Sequence, residues 1–161
     1  MKVVINRCYG GFSLSPRAIK RMAELDGRQC YFFTSEGINF DKRIPVTLEE
    51  LEAKDALFFS AFDVPNPDEV LPSQKNWSEL SMEERGKSNE EWEKHTLRER
   101  DIPRNDPKLI QVVEELGGEH RKGASGRCAE LVIVEIPDDV EWEIEEYDGN
   151  EWIAEKHRTW R

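Results

Sequence analysis

The first apolar residues form a short unbroken run, Val3-Val4-Ile5, closed at once by Asn6 and Arg7. A run that brief, bounded by polar residues, predicts a strand. Ser15-Pro16 then reads as a helix start. Serine accepts an otherwise unpaired amide, and proline lacks the N–H that would be orphaned there. Ile19, Met22, Ala23 and Leu25 recur at helical spacing up to a stop at Asp26-Gly27. Residues 29–34, with Tyr31, Phe32 and Phe33, predict the next strand. Beyond it, Thr47-Leu48-Glu49-Glu50 has the form of a capping box, and residues 56–62 suit a strand cut off by Pro65, Pro67 and Pro72. From 73 to 100 the chain is nearly all polar, with Trp77, Leu80, Met82, Trp92 and Leu97 as isolated anchors. Ser81-Met82-Glu83-Glu84 and Asn89-Glu90-Glu91-Trp92 read as two helix starts. Asp106-Pro107 caps a firmer helix carrying Leu109, Ile110, Val112, Val113 and Leu116, ended by Gly117-Gly118. Residues 131–136 predict a strongly apolar, central strand. The run 140–145 alternates strictly, which predicts a strand with one wet face. Tyr147-Asp148-Gly149-Asn150 is a hairpin turn, because Asp-Gly tolerates the positive dihedrals of a type I′ turn, and 151–156 returns antiparallel.

These elements predict an α+β fold: a mixed or mainly antiparallel sheet of four to six strands, two packed helices, and a polar insertion arm at 36–100 within one domain spanning 1–161. The composition fits, with 37% apolar and 35% charged residues, a core inside a generous solvated shell. No stretch approaches the ~18 apolar residues of a membrane span, and the start lacks a signal-peptide layout. The expected location is the cytoplasm. Cys8, Cys30 and Cys128 lie at spacings of neither zinc nor redox motifs, so they read as reduced, mostly buried side chains.

The net charge of −11 is unevenly spread: +4 over 1–35, −8 over 36–97, +1 over 98–128 and −8 over 129–161. Such a chain repels a nucleic-acid backbone, which disfavours general DNA or RNA binding. A small anion needs only a few donors in one place, and the two base-rich segments hold them.

Three segments carry that possibility. In the first, a strand delivers Asn6, Arg7, Tyr9, Gly10, Gly11 and Phe12 onto a helix N-terminus. Amides and dipole there suit an anion, Arg7 adds charge, and Tyr9 or Phe12 offers a ring for stacking. The alternative is a tight turn with Tyr9 and Phe12 in the core. The second is Gly123-Ala124-Ser125-Gly126-Arg127, where Ser125 and Arg127 could grip phosphate; the alternative is a plain connection with a solvated arginine. In the third, Lys156-His157-Arg158-Thr159-Trp160-Arg161, His157 and Arg158 could donate to phosphate while Trp160 stacks a base. An ordinary tail anchored by Trp160 explains the same residues. A fourth set, Glu141, Glu143, Glu145, Glu146, Asp148 and Glu151, suits a cation or a general base together with His157, but an acidic wet face accounts for most of it. His95 and His120 sit in polar segments and form no ligand motif, and His95 reads as solvated. Neither a nucleophile elbow nor a triad motif is present, so no catalytic residue, metal ligand or cofactor is expected.

The runs Asn6-Arg7-Cys8-Tyr9-Gly10-Gly11-Phe12-Ser13-Leu14-Ser15 and Glu145-Glu146-Tyr147-Asp148-Gly149 with Glu155-Lys156-His157-Arg158-Thr159-Trp160 resemble a family of small proteins from bacteriophages and prophages. Ile102-Pro103-Arg104-Asn105-Asp106-Pro107 and Gly126-Arg127-Cys128-Ala129-Glu130-Leu131 extend the likeness, which covers 1–34 and 102–161 and leaves the middle out. The resemblance implies a phage provenance, with the host cytoplasm as location, and brings no catalytic residues with it. Together these readings favour a small binding protein over an enzyme. Its expected ligand is a phosphate-containing small molecule such as a host nucleotide immune signal, captured as an anti-defence measure. The alternatives are a small enzyme acting on a nucleotide or related phosphate compound, and an acidic protein–protein inhibitor of a host factor. A small binder with polar arms tends to build pockets between subunits, which leans the reading toward a homo-oligomer.

Overall fold

The Val3-Val4-Ile5 run is buried as the innermost strand of the molecule's first unit. In chain order the elements are β1 (Lys2–Asn6), α1 (Pro16–Leu25), β2 (Tyr31–Glu36), β3 (Lys42–Val46), α2 (Leu48–Ala53), β4 (Ser60–Phe62), α3 (Pro67–Val70), a 3₁₀ turn (Trp77–Glu79), α4 (Met82–His95), α5 (Pro107–Leu116), β5 (Leu131–Glu135), β6 (Trp142–Tyr147) and β7 (Asn150–Glu155). The computed structural model describes residues 1–36, 42–56, 58–72, 77–100, 102–119 and 122–156. The fold is α+β, and every strand pairing among the described residues is antiparallel. Instead of one sheet of four to six strands there are three small ones, ordered β1-β5, β3-β2-β4 and β6-β7. Two compact units result: Met1–Leu25 with Glu99–Arg161, and Asp26–Arg98 between them in sequence. Among the described residues no helix is long and apolar enough to cross a membrane.

In the first unit β1 pairs with β5 from Lys2↔Glu135 to Asn6↔Leu131, and α1 and α5 pack together beside it. The helices bury the faces that their periodicity predicts: Ala18, Ile19, Met22 and Ala23 on α1, and Leu109, Val112 and Val113 on α5. Both starts are as read, with the Ser15 hydroxyl accepting from Ala18 N and the Asp106 carboxylate from Lys108 N and Leu109 N. Arg21 on α1 makes two bonds to Glu115 on α5, at 2.8 and 3.2 Å. Hydrogen bonds from Arg21 and then Gln111 hold the Glu115 carboxyl down at about 2. β5 is not central, since its one strand neighbour among the described residues is β1. Its apolar run reflects packing against α5.

The second unit has its own core. Phe33, Phe62, Leu71 and Trp92 are buried together, with Phe33–Phe62 and Phe62–Trp92 edge-to-face at 5.8 Å. The Trp92 indole N–H donates to the Pro72 carbonyl at 2.9 Å. Thr47 and Glu50 complete the expected capping box of α2. Ser81 and Glu84 form another, but the two predicted helix starts belong to one helix, α4, which runs through Asn89 without a break. β3 escaped sequence reading because Pro45 interrupts its strand pattern. Proline is tolerated there because β3 is an edge strand, with Pro45 standing opposite Phe33.

Candidate functional site

Geometry around β1 explains the chemistry-bearing loops of the first unit. Residues alternate along a strand, so amides two apart point the same way. The side of β1 facing β5 continues past the strand, with Arg7 N donating to Glu130 O at 2.8 Å. On the other side the Val4 amide donates to the Arg104 carbonyl and the Asn6 amide to Glu151 Oε2, both at 2.8 Å. Glu151 is only 8% exposed and holds the Arg104 guanidinium with both oxygens, at 3.0 and 2.8 Å. That guanidinium lies 3.4 Å above the centre of the Phe12 ring. The acidic side chain read as part of a wet face is thus an internal anchor. Its strand register turns it inward, opposite to the exposed Glu143 and Glu145.

Asn6 is fully buried and uses its whole side chain. Its Nδ2 donates to the carbonyls of Cys8 and Gly149 at 2.6 Å, and its Oδ1 accepts from Glu130 N at 2.8 Å. One carboxamide therefore ties together the early loop, the segment before β5 and the β6–β7 turn. Glycines let these pieces touch. A Cβ on Gly10 would overlap the Cys128 carbonyl, and one on Gly149, at φ +83°, would overlap the Gly11 amide. The early loop and the 123–126 loop are also joined directly. Leu14 bridges Ser125, Gly126 N donates to Ser13 O at 2.9 Å, and the Ser15 hydroxyl donates to Gly123 O at 2.7 Å.

The predicted residues fall into three groups. Asn6 and Ser125 are buried, and their polar atoms are engaged: the Ser125 hydroxyl donates to Gly118 O and accepts from Leu131 N. Gly10, Gly11 and Phe12 shape the contact region, with Phe12 half-buried beneath Arg104. Arg7, Tyr9 and Arg127 are exposed, Tyr9 to 68%, which removes the reading of Tyr9 as core. Because Gly10 rests on Cys128, Tyr9 and Arg127 are each next in sequence to that contact. His157, Arg158 and Trp160 lie outside the described residues, as does His120. Missed altogether were Arg104 and Gly149 as partners of this hub; both stand in the motif runs, which was the available signal. Cys128 is exposed and Cys8 and Cys30 are partly so, in place of the buried cysteines expected.

In the second unit His95 is not solvated. Its Nδ1 lies 2.8 Å from Asp63 Oδ1 and its Nε2 3.5 Å from Glu91 Oε1. Arg28 donates to the other Asp63 oxygen at 3.1 and 2.8 Å, and to the Lys94 carbonyl at 2.6 Å. Burial pushes the Asp63 carboxyl up, but the bonds from Arg28 and His95 outweigh it and hold the group below its ordinary range. With a carboxylate at each ring nitrogen, the imidazole serves as a clamp between β4 and the end of α4. Arg43 stacks 4.7 Å from the centre of the Trp92 ring and pairs with Asp68. Among the described residues, no three His, Cys, Asp or Glu side chains gather closely enough to hold a metal ion. No protein-family model, curated protein or solved structure matches the chain.

Proposed function

We propose that the chain is a non-enzymatic binding protein that captures a phosphate-containing small molecule at the surface shared by the early loop and the loop before β5. The carrying observation is the exposed Tyr9 ring, on a loop that also carries the exposed Arg7 and that touches the loop carrying the exposed Arg127. A ring open to water, on loops that also carry guanidinium groups, suits a molecule with both a flat base and a phosphate, which is a nucleotide. Support also comes from the buried Asn6 hub, which holds these loops in place before anything binds. Preorganisation of that kind lowers the ordering cost of capture. In the phage setting that the resemblance implies, the captured molecule is a host nucleotide signal, and holding it is the anti-defence act.

The test is to incubate the pure chain with host-cell small-molecule extract, wash it, denature it by heat and identify what is released by mass spectrometry. An intact nucleotide should come from the native chain, and much less from Tyr9→Ala or Arg127→Ala chains that remain folded by circular dichroism. Release of a chemically altered nucleotide would make the protein an enzyme. If nothing containing phosphate is recovered, the reading fails.

A further inference from the structure

We infer that the outer face of the β6–β7 hairpin is a docking surface for a basic polypeptide segment that presents lysine or arginine side chains in an extended run. Strand register decides which side chains share this face. Glu143 stands opposite Ala154, Glu145 opposite Trp152 and Tyr147 opposite Asn150. Side chains two apart on a strand share a face, so these six form one surface. The opposite face carries Trp142 and Glu151, which turn toward Met1 and Arg104 inside the unit.

Two aromatic rings stand at diagonal positions of the outer face, Tyr147 at 73% exposure and Trp152 at 42%. Tyr and Trp give a partner large contact area with few rotatable bonds, and they are enriched where proteins meet. The Trp152 indole N–H donates to Glu145 Oε2 at 2.9 Å, which holds the ring in place.

Charge selects the occupant. Glu143 and Glu145 are exposed on this face, Asp148 is exposed in the turn at its end, and residues 129–161 carry a net −8. An anionic partner would meet repulsion across the whole surface. A guanidinium or ammonium group meets ring faces and carboxylates together, the combination that stabilises a cation best. Spacing selects the form: same-side residues of an extended peptide recur about every 6.6–6.8 Å, the repeat of Glu143, Glu145 and Tyr147 themselves. Among the described residues β6 has β7 as its one strand neighbour. This surface is separate from the small-molecule reading and does not rest on it.

The probe is a fluorescein-labelled peptide of alternating arginine and threonine, titrated with the full chain at physiological salt and read by anisotropy. A glutamate–threonine peptide serves as the control and should not bind. Replacing Tyr147→Ala with Trp152→Ala, or Glu143→Lys with Glu145→Lys, should weaken binding by about tenfold or more. Trp152→Phe keeps a ring and should retain most of the affinity. The exposed pair Glu69→Lys with Glu90→Lys changes net charge equally in the other unit and should leave binding within about twofold. Absence of binding overturns the inference. So does an equal loss from the Glu69 and Glu90 pair, which would show attraction to net charge alone, and so does full affinity without both rings. Tyr9→Ala, which tests nucleotide capture, should leave peptide affinity unchanged, so the two readings fail separately.

Discussion

Gly10 rests against the Cys128 carbonyl so closely that even one added carbon would overlap it, whereas Gly86, inside α4, has nothing within 4 Å of the same position. The same substitution should therefore have opposite signs at the two sites. Gly10→Ala must push the loops of the first unit apart and should destabilise by about 2 kcal/mol or more, as overpacking and strain do. Gly86→Ala should stabilise by about 0.5–1 kcal/mol, because alanine loses less backbone freedom in a helix. Urea unfolding of the two variants against the native chain measures both. At Arg104 the consequence is larger. Arg104→Ala leaves the Glu151 carboxylate buried with the Asn6 amide as its remaining charge-stabilising contact on that side, and should cost about 3–5 kcal/mol. A small loss on denaturant titration would show that water reaches Glu151 and that the pair is not a closed anchor. Neither partner stood out in the sequence, because a glutamate on a hairpin with many other carboxylates looks like its solvated neighbours until the register assigns it a side.

Among the elements, β4 and α4 are fastened by Asp63, His95 and Arg28, and this clamp is sensitive to acid. The Asp63 carboxyl titrates below its ordinary value of 3.8 in the folded chain. A carboxylate with a depressed folded-state value contributes stability above its unfolded value, and that contribution disappears as pH falls through the lowered one. Asp63→Asn should accordingly destabilise the protein by about 1–3 kcal/mol at neutral pH. The gap from the native chain should narrow through pH 4 and below. Thermal unfolding followed across that range checks it, and a gap that stays constant with pH would mean that the ionised form of Asp63 contributes nothing. Elements with a capping residue and a glycine stop were readable, because those signals act within one turn of the same segment: Ser15 and Gly27 for α1, Asp106 and Gly117 for α5. The hairpin turn was equally clear, with Asp148 and Gly149 both at positive φ. β3 was not, since the tolerance of Pro45 depends on lying at a sheet edge, which is a fact about neighbours.

For the whole molecule the dominant long-range property is charge, −11 with an isoelectric point near 4.9. Nonspecific association with duplex DNA draws its free energy from releasing counterions by positive side chains, with dissociation constants of about 10⁻⁴–10⁻⁶ M in typical binders. The native chain should show no such binding to a labelled duplex at physiological salt, by anisotropy; binding in that range would reveal a concentrated basic surface. Class of fold, acidic character and the ends of α1 and α5 could be inferred from the order of residues alone, because each depends on totals or on neighbours within a few positions. The three small sheets could not. Nor could the hub in which Asn6 meets Glu151 across 145 positions, or the clamp joining His95 to Asp63. A carboxylate can accept a bond from any of many donors in the chain. Which one it meets depends on burial and strand register, and these exist only once distant segments have packed.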